Sequence, residues 1–139
     1  MKLQLVIESE LAEIGRLSAF VEEIGEALSL SAGLVMNLNL ALEEAVSNII
    51  LYAYPKKEPN QTIAIEAFTQ EESLVFVITD TGIAFDPTTV AEADTSLSLD
   101  KRPVGGLGIF LIRKIMTDVT YQRIENKNVL TLKRSHTDA

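Results

Sequence analysis

The sequence predicts an α+β two-layer sandwich, with a mixed, largely antiparallel five-stranded sheet and helices on one face. Three observations predict it. Five short stretches read as strands, by alternation in residues 2–8 and by an apolar run at Leu74–Ile78 for example, and three longer ones carry apolar residues at three- and four-residue spacing. Four of the five strand-like stretches fall in consecutive pairs separated by a few polar residues, which is hairpin spacing. The order strand, two helices, two strands, loop, helix, two strands carries no internal repeat.

Residues 2–8 alternate polar and apolar, as a half-buried strand does. Leu11, Ile14, Leu17, Val21, Ile24 and Leu28 then form the stripe of an amphipathic helix. Ser29-Leu30-Ser31 breaks that stripe, and Ser31 is a suitable N-cap for a second helix carrying Val35, Leu38, Leu42, Ala45 and Ile49. Pro55 and the polar run 56–61 end it. Thr62 to Thr69 and Leu74 to Thr79 read as a hairpin around Gln70-Glu71-Glu72-Ser73. Between Thr88 and Val104 periodicity is lost, and a loop that long in a small domain is functional or mobile. A third helix is expected from Gly106 to Met116, burying Leu107, Phe110, Leu111 and Ile115. Val119 to Glu125 and Val129 to Lys133 close the chain as a hairpin around Asn126-Lys127-Asn128.

The 139 residues suit one domain, expected over 1–134 with a disordered tail at 135–139. A formal net charge of −8 disfavours direct binding to nucleic acid or to an anionic membrane surface. The absence of cysteine removes disulfides and thiolate metal sites. No apolar run approaches the ~20 residues of a membrane helix, and the N-terminus does not read as a signal peptide, so a cytoplasmic protein is expected. His136, the single histidine, lies in the polar tail and reads as a frayed terminus.

Three segments can carry chemistry. Glu44 and Asn48 stand four apart on one face of the second helix, where a carboxylate can act as a general base and an amide oxygen can serve a hard cation. The same pair also fits an ordinary solvated face. Asp80 ends an apolar strand and is followed by Gly82, so its carboxylate can accept an exocyclic amine such as that of adenine. An Asp–Gly turn is the plain alternative. Phe85-Asp86-Pro87 then turns the chain and can wall a pocket. Gly105-Gly106-Leu107-Gly108 opens the third helix, and amides at such a terminus attract anions, although a flexible hinge has the same composition. Lys101 and Arg102, just upstream, are either ordinary loop charges or partners for a terminal phosphate.

Taken together these segments resemble the GHKL ATPase superfamily with its Bergerat ATP-binding fold, and within it the RsbW/SpoIIAB-type anti-sigma factor serine kinases. The resemblance spans roughly Met1 to Arg134. Residues 40–48 with Tyr52-Ala53-Tyr54 are similar to the family's N box, Asp80-Thr81-Gly82 with Phe85-Asp86-Pro87 to its first glycine box, and 105–108 with Leu111, Ile112 and Met116 to its second. The resemblance implies that Glu44 is the catalytic base, Asn48 the Mg²⁺ ligand, and Asp80 with Gly82 and Phe85 the adenine site. It further implies that 88–104, with Lys101 and Arg102, is a lid over the phosphates, which Gly105, Gly106, Leu107 and Gly108 hold. The cofactors implied are ATP and Mg²⁺. The implied reaction is phosphorylation of a serine on a STAS-domain anti-anti-sigma partner by a homodimer that otherwise sequesters a sigma factor.

The alternative is an ATP-gated protein-binding module with little or no catalysis. Two positions depart from the family pattern. Where relatives place Gly-Thr at the last hairpin this chain has Lys127-Asn128, and where they place His after the Asn it has Tyr52. No dimerisation-and-phosphoacceptor helix pair precedes the domain in this sequence, so a complete sensor histidine kinase is not expected.

Overall fold

The computed structural model describes residues 1–89 and 106–135. Among the described residues the order is β1 (Lys2–Glu8), α1 (Arg16–Leu28), α2 (Ala32–Asn48), a π-helical turn (Ile49–Ala53), β2 (Thr62–Gln70), β3 (Ser73–Asp80), α3 (Gly106–Ile115), β4 (Asp118–Ile124) and β5 (Lys127–Ser135). The strands form one sheet in the order β1-β2-β3-β5-β4. Every neighbouring pair is antiparallel, so the expectation of a mixed sheet is corrected. The β2–β3 and β4–β5 connections are hairpins, and α1 with α2 returns the chain from β1 to its neighbour β2. In contrast, α3 carries it from β3 past β5 to β4, which runs parallel to β3 without being paired to it.

The period-two pattern of the strands supplies one layer of the core. Ile63, Ile65 and Ala67 of β2, Phe76 and Ile78 of β3 and Leu130 and Leu132 of β5 are buried toward the helices. Leu17, Val21 and Ile24 of α1 and Leu38, Leu42, Ala45 and Val46 of α2 meet them in one continuous cluster. Burying such side chains contributes roughly 1.5–3 kcal/mol each, which is what holds α2 against the sheet. From α3 it is Ile109, Ile112, Ile115 and Met116 that enter the cluster. The expected burial of Phe110 and Leu111 is corrected: both are half-buried, and Lys114 lies over the Phe110 ring at 5.4 Å.

Local chemistry sets the element ends. Ser29 takes a left-handed conformation (φ 54°) after α1, with Leu30 N–H donating to Gly25 O at 2.9 Å. The Ser31 hydroxyl accepts from Leu34 N–H, the N-cap expected of it. The end of α2 differs from expectation. Its last turn widens, with Tyr54 N–H donating to Ile49 O, five residues back, at 3.1 Å. The Lys57 ammonium closes this end by donating to Ile50 O and Tyr54 O. The continuous helix Ala32–Ala53 is 22 residues long, and its most apolar window has mean hydropathy 1.3. That corrects the expectation that no segment approaches spanning length, although the window is 44% buried against the rest of the chain.

The last hairpin is also placed differently. Glu125 and Asn126 both have positive φ (48° and 66°), which makes them the two central residues of its turn. Lys127 and Asn128 therefore belong to β5 rather than to the turn, and Asn128 pairs with Asp80 across β3 and β5.

Candidate functional site

Asp80 stands at the C-terminal end of β3 on the helix-facing side, and is only 2% exposed. Its Oδ1 accepts from Gly82 N–H at 2.9 Å and from the Asn128 amide at 2.8 Å. Its Oδ2 is buried and has no hydrogen-bond partner among the described residues. Burial raises the carboxyl above the usual range, only partly offset by the Asn128 and Gly82 bonds and by the Arg123 charge. Leaving a buried carboxylate oxygen bare costs free energy unless a donor meets it. A ligand bearing an N–H fits that requirement.

Glu44 and Asn48 project from α2 one turn apart, Glu44 half-buried and Asn48 buried. The Glu44 carboxyl is also raised, by burial first and then by the neighbouring charge of Glu43. Neither side chain has a hydrogen-bond partner among the described residues, which leaves a base and an amide oxygen available. The third segment meets them directly. A Cβ built on Gly108 would lie 3.0 Å from Glu44 Oε2 and 3.5 Å from Asn48 Nδ2. The first turn of α3, whose N–H groups have no helical acceptor, thus abuts the carboxylate and the amide.

Gly82 shows why the loop after β3 needs glycine. A Cβ there would stand 2.3 Å from Ala53 O, while Ile83 N–H donates to the same oxygen at 2.9 Å. The π-helical turn and the β3 loop are therefore in backbone contact. Phe85 packs on Tyr52, ring centroids 5.2 Å apart and tilted by 33°. Phe85, Asp80, Asn48, Tyr121 and Asn128 line one small cavity of about 10 Å³, room for about one water. A group larger than a water would require the Phe85–Pro87 wall to move outward. The larger cleft, about 730 Å³ between α1 and α2, contains none of these residues; its polar lining is Ser18, Glu22, Glu26, Ser29 and Asn39. Chemistry rather than size assigns the site to the smaller cavity.

The structure thus brings Glu44, Asn48, Asp80, Gly82, Phe85 and Gly108 around one place. The backbone of Gly106 and Leu107 begins α3 there. Lys101, Arg102, Gly105, the expected lid from residue 90 onward and the tail from His136 lie outside the described residues. Sequence reasoning missed three participants. Tyr54 is buried, its hydroxyl donating to Thr62 O at 3.0 Å and accepting from Thr81 N–H at 2.8 Å. Arg123 donates to Gly82 O at 2.9 Å, and Tyr121 donates to Asn128 Oδ1. Tyr54 was marked by its place beside Tyr52 in the second helix's last turn, whereas nothing local to β4 singled out Tyr121 or Arg123.

Among the described residues no three His, Cys, Asp or Glu side chains cluster to hold a metal. A cation at Asn48 would draw most of its ligands from phosphate and water oxygens, which is the habit of Mg²⁺.

Residues 7–134 match the family described as "Histidine kinase-like ATPase domain". The chain is 30% identical over 135 residues to the serine-protein kinase RsbW of Listeria monocytogenes serovar 1/2a, covering 94% of this chain and 84% of that one. It is 36% identical over 103 residues to the serine/threonine-protein kinase BtrW of Bordetella bronchiseptica, covering 73% of this chain and 71% of that protein. In structure it is similar to the histidine kinase domain of a blue-light activated histidine kinase from Erythrobacter litoralis. The TM-score is 0.56 at 10% identity, over 92% of this chain and 61% of that chain.

Proposed function

The chain belongs to the histidine kinase-like ATPase domain family, and from that premise we propose that it is a cytoplasmic Mg-ATP-dependent protein serine kinase that phosphorylates a STAS-type anti-anti-sigma partner and, as a homodimer, sequesters a sigma factor. ATP-dependent phosphoryl transfer to a protein hydroxyl is the activity of its kinase relatives over most of its length. The observation that carries the site assignment is the convergence of a buried, half-unpartnered Asp80 with Glu44, Asn48 and Gly108.

In this reading Asp80 Oδ2 accepts the exocyclic amine of adenine. Phe85 and Tyr52 wall the base. The free amides of the first turn of α3 receive the phosphates, with Gly106, Leu107 and Gly108 in that turn. On sequence position alone, Gly105, Lys101 and Arg102 extend the same anion site. Asn48 would hold Mg²⁺, which when bound neutralises charge on the β- and γ-phosphates. Glu44 takes the proton of the acceptor serine as its Oγ bonds to the γ-phosphorus, while the bond from that phosphorus to the bridging oxygen breaks and ADP leaves. Most of the acceleration comes from positioning, as in other phosphoryl transfers. The place of Glu44 against the α3 turn favours this over a module that binds ATP without chemistry.

The test is transfer of labelled γ-phosphate from Mg-ATP to a STAS-domain protein, with ATP and GTP binding followed by calorimetry. Wild type phosphorylates a serine and binds ATP selectively, and Glu44→Ala loses transfer while keeping ATP binding. Equal loss of both in Glu44→Ala overturns its role as base. No ATP binding by folded wild type overturns the site.

A further inference from the structure

We propose that Asn128 sets the base specificity of this site as a positioning residue, acting through Asp80 and not by touching the nucleotide. The inference rests on the reading of Asp80 as the base acceptor and names the residue that makes its acceptance selective. Asn128 and Asp80 are direct cross-strand partners, 4% and 2% exposed.

The hydrogen-bonding capacity of the Asn128 amide is fully used inside the protein. Its nitrogen donates to Asp80 Oδ1 and to Ile83 O, both at 2.8 Å. Its oxygen accepts from Phe85 N–H at 3.2 Å, from Arg123 Nη1 at 3.1 Å and from the Tyr121 hydroxyl. Two acceptors on one side and three donors on the other leave a single way round for the amide, because a flip would face like with like. An amide so engaged has no proton or lone pair to offer a base.

Its effect falls on Asp80. The χ2 torsion of a carboxylate is broad and two-fold, so in isolation its two oxygens compete for Gly82 N–H. The Asn128 donor adds a second bond to the oxygen that already accepts from Gly82. That fixes the carboxylate plane and leaves Oδ2, buried and without a partner among the described residues, as the free acceptor of a residue that lines the cavity. Discrimination for a purine carrying an exocyclic amine then depends on one oxygen held in one place.

The experiment measures affinity of wild type, Asn128→Leu, Asp80→Asn and the double variant for Mg-ATP and for Mg-purine riboside triphosphate, which lacks the amine. Losing one hydrogen bond to a charged group corresponds to about 10- to 100-fold in affinity. Wild type is expected to prefer ATP by about that factor. Asn128→Leu is expected to lose the preference, weakening ATP about 10-fold more than purine riboside triphosphate, and to add nothing to the lost preference of Asp80→Asn. If Asn128→Leu does not fold, Asn128→Ala removes the same donor to Asp80 with less bulk and carries the same expectation. Equal weakening toward both nucleotides, or additivity with Asp80→Asn, assigns Asn128 a purely structural role and overturns the proposal while the ATP site stands. Wild type that binds neither nucleotide overturns the site itself, and a wild type without preference overturns the role of Asp80.

Discussion

Gly82 and Ala53 meet backbone to backbone: a Cβ on Gly82 would stand 2.3 Å from Ala53 O, the oxygen that accepts from Ile83 N–H. The contact ties the segment that carries Asp80 and Phe85 to the end of the helix that carries Glu44 and Asn48.

Gly82→Ala must push that backbone apart, and overpacking of this kind costs about 1–3 kcal/mol. Thermal unfolding of the variant is expected to show that loss, together with ATP binding weakened at least ~10-fold because Asp80 and Phe85 are set by the same loop. An unchanged melting temperature would refute the contact.

Gly108→Ala is expected to separate stability from activity. The added methyl meets the far end of the Glu44 side chain, which can swing away, and alanine favours a helix over glycine by about 1 kcal/mol. The variant is therefore expected to unfold within ~1 kcal/mol of wild type while phosphotransfer falls by at least ~10-fold, since a displaced base loses its line to the acceptor. Transfer at the wild-type rate would show that Glu44 need not occupy its observed place.

Asp80→Asn is expected to stabilise the unliganded protein at neutral pH while weakening ATP binding. The folded carboxyl is raised above its value in the unfolded chain, so the native state binds more protons than the unfolded one between the two values. Wild-type stability from this group is full below the unfolded value near 3.8 and is lost as pH rises through the folded one. The difference in unfolding free energy between variant and wild type should thus be largest at pH 7 and shrink on acidification toward pH 4. A difference that grows on acidification would mean the carboxyl is lowered, not raised.

The acid limb of the phosphotransfer pH profile is expected above the ordinary glutamate value of 4.5, because Glu44 must be ionised to take the serine proton and its carboxyl is raised. Burial is the larger cause and survives substitution next door, whereas the Glu43 charge does not. Glu43→Gln should move the limb toward lower pH without abolishing it. A limb that stays in place would assign it to another group.

The elements were legible because each depends on local pattern. Alternation gave β1, hairpin spacing gave β2 and β3, three- and four-residue spacing gave the three helices, and Ser31 gave the N-cap seen at Leu34 N–H. Two features were not legible. Asparagine is a turn former, so Asn126-Lys127-Asn128 looked like one turn, yet the positive φ values fall on Glu125 and Asn126 and Asn128 is a buried strand residue. The π-helical turn was hidden because Ile49-Ile50-Leu51 is apolar all round and fits any helical period. At the site, the i,i+4 pair of Glu44 and Asn48 could be read from the chain alone. The approach of Gly108 to both, and of Asp80 to Asn128, belongs to tertiary packing across 48 residues or more of sequence and has no local signature.

The widened turn at Ile49–Ala53 amounts to one residue inserted into a helix, and each residue in an α-helix advances the facing by about 100°. The same rod therefore presents two differently aimed surfaces. Before the insertion it points Glu44 and Asn48 at the first turn of α3, and after it Ala53 and Tyr54 point at the end of β3. A straight helix with this sequence would bring one of these sets to its neighbour and turn the other aside. The irregular turn acts as a joint fixed at one angle, so that a single element serves both halves of the cleft.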